Sequence, residues 1–165
     1  EGSARAKLRQ VDRRATKEGA TFEIIPRIDV EKNLAELKSV SEEWLSDKAA
    51  HEKAFSVGSF SEDYIKNFDC AVIRRDNKII AFANILQAPM GRELTVDLMR
   101  HRNDAPNGVM DYLFVQIMLW GKEQGYEWFN FGMAPLSGLD THPLSPVWNR
   151  IGAFIFRHGE HFYNF

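Results

Sequence analysis

Asp97 and Arg100 are the two side chains whose types and spacing offer the clearest chemistry in this sequence. A guanidinium holds a phosphate through paired hydrogen bonds, and a nearby carboxylate can orient an ammonium group or an attacking hydroxyl. We therefore predict them as the catalytic pair. Because they lie three residues apart in a predicted strand, a regular strand would point them to opposite faces. Both reach one cleft only if the strand bends or frays, and the alternative is a surface ion pair of little energetic value.

Asn107 and Asp111 open the long helix that is predicted to follow this strand. Asn107 is a favourable N-cap residue, and Asp111 lies in the first turns, where a carboxylate interacts well with the helix dipole. These structural roles compete with a role in binding. The same helix end offers free backbone amides to an incoming phosphate, so we predict both residues as substrate-binding.

Further candidates lie at the end of a second predicted strand. Phe129 and Phe131 alternate with Asn130, which leaves Asn130 facing the other way, toward a cleft. The following loop, rich in glycine and proline, lets the backbone approach a ligand closely, although a simple turn explains it as well. The predicted substrate-binding residues of this region are Asn130, Gly132, Met133 and Ser137.

Two kinds of chemistry find no support in the sequence. Ser137 has no histidine and aspartate at the spacing of a catalytic triad, and the histidines form no zinc-binding motif. We therefore predict no metal site and no cofactor. The histidines are His51, His101, His142, His158 and His161.

A basic stripe marks the first predicted helix, residues 4–18, which is otherwise polar on every side. Cations recur every four residues and so fall along one slowly drifting face. A solvated linker helix is one interpretation. The other is a surface that follows the phosphates of a polyanion, because each such cation releases condensed counterions. The residues of the stripe are Arg5, Arg9, Arg13 and Lys17.

Length and composition are typical of one compact domain. The chain has 165 residues, of which 44% are hydrophobic and 27% charged, with a formal net charge of -2. That charge excludes a uniformly basic nucleic-acid binder but permits a local basic patch. The lone Cys70 excludes an internal disulfide framework. No apolar run is long enough to span a bilayer, and the first residues are not typical of an export signal.

The hydrophobic pattern predicts alternating helices and strands. Leu34, Leu37, Val40 and Trp44 recur at helical spacing, and Ser61 is placed to cap a short second helix. The predicted strands are 21–25, 70–74, 79–86, 93–99, 128–131 and 154–165, and the predicted helices are 4–18, 30–48, 61–64, 109–123 and a piece near 147–150.

This order predicts an α/β (α+β) domain. Three consecutive strands form an antiparallel meander, and a long crossover helix then leads to another strand, which favours a mixed, mostly antiparallel sheet with helices on its faces. The predicted organisation is a basic linker helix, residues 1–20, followed by the main domain, residues 21–165.

The order of elements is that of the GNAT-type acyltransferase fold, and three runs make the resemblance specific. They are Asp97-Leu-Met-Arg100, Pro106-Asn-Gly-Val-Met-Asp-Tyr-Leu-Phe114 and Phe129-Asn-Phe-Gly-Met-Ala-Pro-Leu-Ser-Gly138. Together they resemble the second GNAT-like half of the C-terminal domain in the MprF family, the aminoacyl-phosphatidylglycerol synthases or phosphatidylglycerol lysyltransferases. The resemblance covers essentially the whole chain.

The resemblance implies transfer of an aminoacyl group, lysyl or alanyl, from aminoacyl-tRNA to the glycerol headgroup of phosphatidylglycerol, which changes membrane surface charge. It implies that the basic stripe contacts tRNA. It also implies that the chain is part of a larger membrane protein, with its soluble domain at the cytoplasmic face of the bacterial cell membrane. The partners so implied are aminoacyl-tRNA, phosphatidylglycerol, the first GNAT-like half and the membrane region.

Two other functions stay open. An acetyl-CoA-dependent acetyltransferase would share the fold, but its pyrophosphate loop has more glycines than the segment His101-Arg-Asn-Asp-Ala-Pro-Asn-Gly108. The other alternative is a non-catalytic half-domain that docks tRNA, because the family's activity uses both halves. The isolated fragment is then expected to be inactive.

Overall fold

The computed structural model describes residues 3–47, 59–88 and 91–130. These residues belong to one compact unit, Glu1–Phe131, and a second unit spans Gly132–Phe165. Several predictions lie outside the described residues: the elements near 147–150 and 154–165, and the site residues Gly132, Met133 and Ser137.

The described helices and strands follow the predicted order closely. Their ends differ from the predicted ones by a few residues, and the strand predicted at 93–99 extends through His101. The helices are α1 (Ser3–Lys17), α2 (Arg27–Val30), α3 (Leu34–Asp47), α4 (Glu62–Ile65) and α5 (Val109–Glu123), with a 3₁₀ turn at Glu31–Asn33. The strands are β1 (Thr21–Ile25), β2 (Asp69–Arg75), β3 (Lys78–Gln87), β4 (Glu93–His101) and β5 (Trp128–Asn130).

The described strands form one mixed sheet in the order β1-β2-β3-β4-β5. The first four are antiparallel neighbours, and β5 pairs in parallel with β4 after the α5 crossover. A parallel neighbour needs such a long connection, whereas antiparallel strands can be joined by a tight turn. Asp76 and Asn77 form that turn between β2 and β3 with φ of 52° and 62°, as two-residue hairpins require. The predicted mixed, mostly antiparallel sheet is confirmed.

Each face of the sheet buries its own apolar core, because alternate side chains of a strand point to opposite sides. We call one side the α5 face, where Ala83, Leu94 and Val96 pack with Leu113 and Ile117 of α5. The other side is the α3 face, where Phe82 and Leu98 pack with residues of α3 and α4. The α3 and α4 residues in that second core are Leu34, Leu37, Val40 and Ile65.

Helix α1 packs against the domain on the α5 face. Its Val11 and Ala15 pack against the core, and Gln116 of α5 donates a hydrogen bond to the Asp12 carboxylate at 2.7 Å. The expectation of a helix that is polar on every side was therefore wrong, since two small apolar residues one turn apart suffice to dock it. The prediction that Gly19 ends this helix is confirmed, since Gly19 follows α1 with a φ of 80°, as expected of a C-terminal glycine cap.

Within the described part of the chain, no helix is both long and apolar enough to cross a bilayer.

Candidate functional site

Strand β4 carries a β-bulge beside Asn84. Val96 pairs with Ile85 and Met99 with Ala83, so Asp97 and Leu98 together stand opposite one residue of β3. An extra residue of this kind bends a strand and changes which side chains share a face. The bulge lies between the two residues of the predicted catalytic pair.

The bulge places Asp97 and Arg100 on the same side of the sheet, the α3 face. Asp97 accepts a hydrogen bond from Tyr64, which lies on α4, and the Arg100 guanidinium lies over the ring of Trp44, which lies on α3. A regular strand would have separated the two side chains. The bend that both side chains need in order to reach one cleft is therefore present.

Tyr64 is a polar partner of this site that the sequence analysis did not identify. Its hydroxyl donates to Oδ2 of Asp97 at 2.6 Å. Burial, and secondly the hydrogen bond to Asp97, raise the pKa of Tyr64 to about 12. The phenol therefore stays protonated at neutral pH and acts as a hydrogen-bond donor. The Ser61 hydroxyl, which accepts from the Tyr64 amide at 3.1 Å, caps the short helix that presents it, as predicted.

Arg100 is held in place before any ligand arrives. Only 8% of the residue is exposed, and its guanidinium carbon lies 4.1 Å from the centre of the Trp44 ring. Nη1 donates to the Met99 carbonyl at 2.8 Å. Stacking of this kind favours the cation and restricts its rotation, which makes the guanidinium a fixed point of positive charge on the α3 face.

Glu43 of α3 ties that helix to the segment after β4. Its carboxylate accepts from the Asn103 amide at 2.8 Å and from Arg102 at 2.7 Å. The hydrogen bond from the Asn103 amide, with a smaller contribution from Arg102, lowers the pKa of Glu43. Arg102 also donates to the Ile79 carbonyl at 2.9 Å. This cluster fixes α3, and with it Trp44, relative to the end of β4.

Asn107 and Asp111 lie on the opposite side of the sheet from Arg100. The N-cap of α5 is Gly108, with a φ of 88°, so the prediction of Asn107 as N-cap was wrong. A left-handed cap position favours glycine because it has no Cβ. Asn107 and Gly108 line a shallow cleft with Val11 of α1 on the α5 face. The described residues thus place the start of α5 apart from the Asp97 and Arg100 pair.

Asn130 faces away from the α5 core, as predicted. Phe129 packs against Phe114, with ring centres 6.3 Å apart, whereas Asn130 is exposed and donates to the Glu93 carboxylate at 2.8 Å. Because β5 is parallel to β4, Asn130 sits beside Thr95, two residues before Asp97. It therefore lies on the same side of the sheet as the predicted catalytic pair.

The basic stripe lies on the outer surface of α1. Arg9, Arg13 and Lys17 are exposed, and the side chain of Arg5 lies outside the described residues. Arg14, between them, pairs with Glu18 at 2.8 Å. Docking of α1 through its inner face thus leaves the three described cations of the stripe on the surface.

Two alternative chemistries can be compared with the described residues. Among them, no cluster of three or more histidine, cysteine or acidic side chains is arranged to hold a metal ion. Burial raises the pKa of the Cys70 thiol to about 12, which makes it a poor nucleophile at neutral pH. The α3 face instead combines a fixed cation with a carboxylate and a phenol, groups that bind and orient polar substrates.

Comparison with known families identifies the chain. All of its residues, 1–165, match the model of the phosphatidylglycerol lysyltransferase C-terminal family. The chain belongs to this family. The resemblance drawn from the three sequence runs is confirmed.

Curated relatives of the lysyltransferase family are much longer than this chain. The phosphatidylglycerol lysyltransferase of Bacillus subtilis (strain 168) is 40% identical over 165 residues, which are 99% of this chain and 19% of that protein. The enzyme of Staphylococcus xylosus is 35% identical over 148 residues, 89% of this chain and 17% of that protein. The chain thus spans about a fifth of these relatives.

Solved structures of the family share the fold. The C-terminal domain of a lysylphosphatidylglycerol synthetase from Agrobacterium fabrum is 45% identical, with a TM-score of 0.81 over 100% of this chain and 48% of that chain. The L-PGS structure from Bacillus licheniformis is 40% identical, with a TM-score of 0.76 over 93% of this chain and 48% of that chain.

An acetyltransferase of the GNAT class shows the same architecture at low identity. An aminoglycoside acetyltransferase from an uncultured soil metagenomic sample is 14% identical, with a TM-score of 0.50 over 72% of this chain and 80% of that chain. At this identity the likeness concerns the fold alone. The predicted GNAT-like fold of this lysyltransferase-family chain is confirmed.

Proposed function

We propose that the chain is part of the catalytic region of an enzyme that transfers an aminoacyl group, lysyl or alanyl, from aminoacyl-tRNA to the glycerol headgroup of phosphatidylglycerol. The observation that carries the proposal is that Asp97 and Arg100 lie on the same face of the sheet, in a chain of the lysyltransferase family. One ester is exchanged for another, so catalysis consists mainly of positioning and charge stabilisation.

Arg100 binds a phosphate of the lipid or of the tRNA terminus. Both substrates carry phosphodiesters, and a planar guanidinium matches two phosphate oxygens at once. Its stacking on Trp44 at 4.1 Å supports this role because the side chain needs little reorganisation on binding. Its low exposure weakens competition from water for the same donors.

Asp97 orients the ammonium group of the aminoacyl substrate or the attacking glycerol hydroxyl. Tyr64 donates a hydrogen bond to Oδ2 of Asp97 at 2.6 Å, which restricts rotation of the carboxylate and so favours one orientation toward a substrate group. The Tyr64 phenol, whose pKa is raised to about 12, is fully protonated at neutral pH and therefore available as the donor. Asn130, Gly132, Met133 and Ser137 stay proposed substrate contacts. Asn107 and Asp111 stay proposed contacts too, but to a part of the substrate that reaches the α5 face.

The outer surface of α1 contacts tRNA in this proposal. Arg9, Arg13 and Lys17 are exposed on a helix that is packed against the domain, and Arg5 continues the series toward its start. A rigid row of cations neutralises successive backbone phosphates without base-specific contacts.

The remaining partners belong to the whole protein. We propose that a first GNAT-like half and a membrane region accompany this chain, because it covers 19% of the Bacillus subtilis relative. Phosphatidylglycerol is a membrane lipid and aminoacyl-tRNA is cytoplasmic, so the domain would act at the cytoplasmic face of the bacterial membrane.

Coenzyme A is a less suitable acyl donor for this chain. A Cβ placed on Gly108 would lie 3.6 Å from both Val11 methyl groups, at van der Waals contact distance, so α1 lies directly beside the start of α5. The Val109 amide already donates to the Pro106 carbonyl at 3.0 Å. That hydrogen bond uses one of the amides that a pyrophosphate would need at this helix end. Calorimetric titration with acetyl-CoA is expected to give no binding heat, and micromolar binding would favour an acetyltransferase instead.

Arg100→Ala in the full-length parent protein tests the proposal. Loss of two charged hydrogen bonds costs about 2–3 kcal/mol, so kcat/KM for lipid aminoacylation should fall by about 100-fold. Arg100→Lys keeps the charge but not the paired donors and should recover only part of the loss. Arg92→Ala removes an exposed arginine that pairs with Glu127 at 3.2 Å and serves as the control. Wild-type activity in Arg100→Ala would contradict the role given to this residue.

A further inference from the structure

The bulge in β4 leaves a buried backbone amide that the strand ladder does not pair. Where two residues stand opposite one, the regular pattern of interstrand hydrogen bonds is interrupted. The amide in question is that of Leu98, a residue only 1% exposed. Without a partner, such a group would destabilise the bulged strand by about 1–3 kcal/mol.

Asn84 supplies the missing acceptor from its side chain. Its Oδ1 accepts from the Leu98 amide at 2.6 Å, and the residue is 0% exposed in the middle of β3. An apolar residue is the usual occupant of such a position. The carboxamide thus replaces a backbone carbonyl at the point where the β3–β4 ladder is interrupted.

The bulge determines to which side of the sheet each following side chain of β4 points. A shift of one residue in a strand moves each following side chain to the other side of the sheet. Without the bulge, Arg100 would point to the α5 face and lose Trp44, while Asp97 kept its contact with Tyr64. The bulge therefore decides whether the pair shares one site.

We propose that Asn84 is a positioning residue of the transfer reaction: its carboxamide stabilises the β4 bulge that brings Asp97 and Arg100 onto one face. The proposal rests on the proposed function, since it assigns Asn84 a role in that same site. Asn84 acts through the pair and makes no contact with the reacting ester.

The other end of the Asn84 carboxamide supports this assignment. Its Nδ2 faces the Tyr64 hydroxyl without completing a hydrogen bond of ordinary geometry to any described residue. Tyr64 in turn donates to Asp97 at 2.6 Å. One buried side chain thus lies against both the bulge and the phenol that orients the carboxylate.

A purely structural role for Asn84 makes a different prediction. In that case Asn84→Leu lowers stability, and any loss of activity is the same whether or not Arg100 is present. A positioning role predicts non-additivity, because a misplaced guanidinium and an absent one are equivalent. The double variant separates the two roles.

The experiment compares Asn84→Leu, Arg100→Ala and the double variant in the full-length parent protein. Asn84→Leu should lower kcat/KM for lipid aminoacylation by about 30- to 100-fold in the wild-type background, and by less than about twofold in the Arg100→Ala background. Equal losses in both backgrounds would overturn the proposal, as would an unchanged rate in Asn84→Leu. Cys70→Ala is the control, because Cys70 is buried opposite Asn84 on β2, so its truncation disturbs the same core without removing the Asn84 carboxamide.

Hydrogen exchange at Leu98 gives a readout that does not depend on the reaction. The Leu98 amide should exchange at least tenfold faster in Asn84→Leu than in wild type and in Cys70→Ala. Asn84→Asp keeps Oδ1 and should retain most of the protection, which covers the case in which Asn84→Leu does not fold. Unchanged protection in Asn84→Leu, or its complete loss in Asn84→Asp, would contradict the proposal. A parent protein without aminoacylation activity would refute only the proposed function. The exchange rate of the Leu98 amide would still test whether Asn84 stabilises the bulge.

Discussion

Tyr64 shows how a single residue acquires its properties from neighbours far away in sequence. It follows an acidic pair in a short helix, and nothing in that context distinguishes it from an ordinary surface tyrosine. In the fold its hydroxyl meets Asp97, 33 residues further along the chain. Partial burial and the adjacent carboxylate both disfavour the phenolate.

Titration of Tyr64 tests this environment directly. Its pKa of about 12, against an ordinary 10.0, predicts that the phenol remains protonated at a pH at which an unperturbed tyrosine ionises. Since the folded pKa is raised, the stability that the neutral phenol contributes is present below about pH 10 and is lost as the pH rises through about 12. The difference in ultraviolet absorbance between wild type and Tyr64→Phe isolates this residue among the chain's four tyrosines. A midpoint near 10 would show that Asp97 and burial do not act on it.

At the scale of elements, Glu43 holds α3 to the segment after β4. Its carboxylate joins the Asn103 amide and the Arg102 guanidinium, so α3, which carries Trp44, follows any movement of the end of β4. Both partners bind the ionised form, which is why the pKa of Glu43 is lowered. The contribution of Glu43 to stability is therefore present above its ordinary pKa of 4.5 and is lost as the pH falls through the lower folded value.

Glu43→Gln should reduce the free energy of unfolding by about 1–2 kcal/mol at pH 7, because two charge-assisted hydrogen bonds become neutral or are lost. The deficit should shrink as the pH is lowered below about 4, where wild type also loses the charge. Denaturant unfolding at pH 7 and at pH 3 measures both values. Glu42→Gln, one position away on the exposed side of α3, is the matched control. A deficit that is independent of pH would exclude this electrostatic explanation.

Helix α1 is a second element whose role depends on its packing. Docking through Val11 and Ala15 turns a polar helix into a fixed surface with its cations outward. Reversal of Arg9 and Arg13 to glutamate should weaken tRNA binding by about tenfold or more at moderate salt and lower the dependence of log Kd on log salt by about 2. Filter binding across a salt series measures the slope. Reversal of Lys122, exposed at the end of α5, should leave the slope closer to wild type. An unchanged slope in the α1 variant would make α1 a linker.

At the scale of the whole sheet, the described helices pack on its two opposite faces, and the two faces differ in chemical character. The α5 face is mostly apolar and is covered by α1 and α5. The α3 face carries the polar groups Tyr64, Asp97 and Arg100 beside its own core. The central polar groups of the proposed site therefore lie on one side of the sheet, while the other side contributes an apolar core and the surface of α1.

Lipid analysis of cells tests the whole-molecule prediction. Expression of the full-length parent protein in a bacterium that lacks aminoacylated lipids should produce a phosphatidylglycerol species heavier by one aminoacyl residue, and mass spectrometry then identifies the amino acid. Parallel expression of this chain alone should yield no such lipid, because it spans 19% of the Bacillus subtilis relative. Absence of the product with the intact protein, at normal expression, would refute the proposed function.

Much of the fold could be predicted because its signals are local. The α5 boundaries follow from apolar residues at helical spacing and Gly125, and the β2–β3 hairpin from Asp76 and Asn77. The helix predicted at 30–48 starts too early, because a 3₁₀ turn, Glu31–Asn33, separates α3 from α2. The N-cap of α5 was predicted wrongly. Asn107 has the better capping side chain, but the cap position has a φ of 88°, which glycine adopts more readily, and Gly108 occupies it.

By itself, the sequence determined the order of the described elements, the mixed sheet and the family, and it led to Asp97 and Arg100 as a proposed pair, because periodicity, turn residues and short motifs are properties of neighbouring positions. Only the tertiary structure decided that these two side chains share a face. That outcome depends on a bulge opposite Asn84, which lies 14 residues from its partner Leu98 in the sequence. It likewise decided that Tyr64 lies beside Asp97 and Trp44 beside Arg100, since contacts between separate helices and a strand arise only when the fold brings them together.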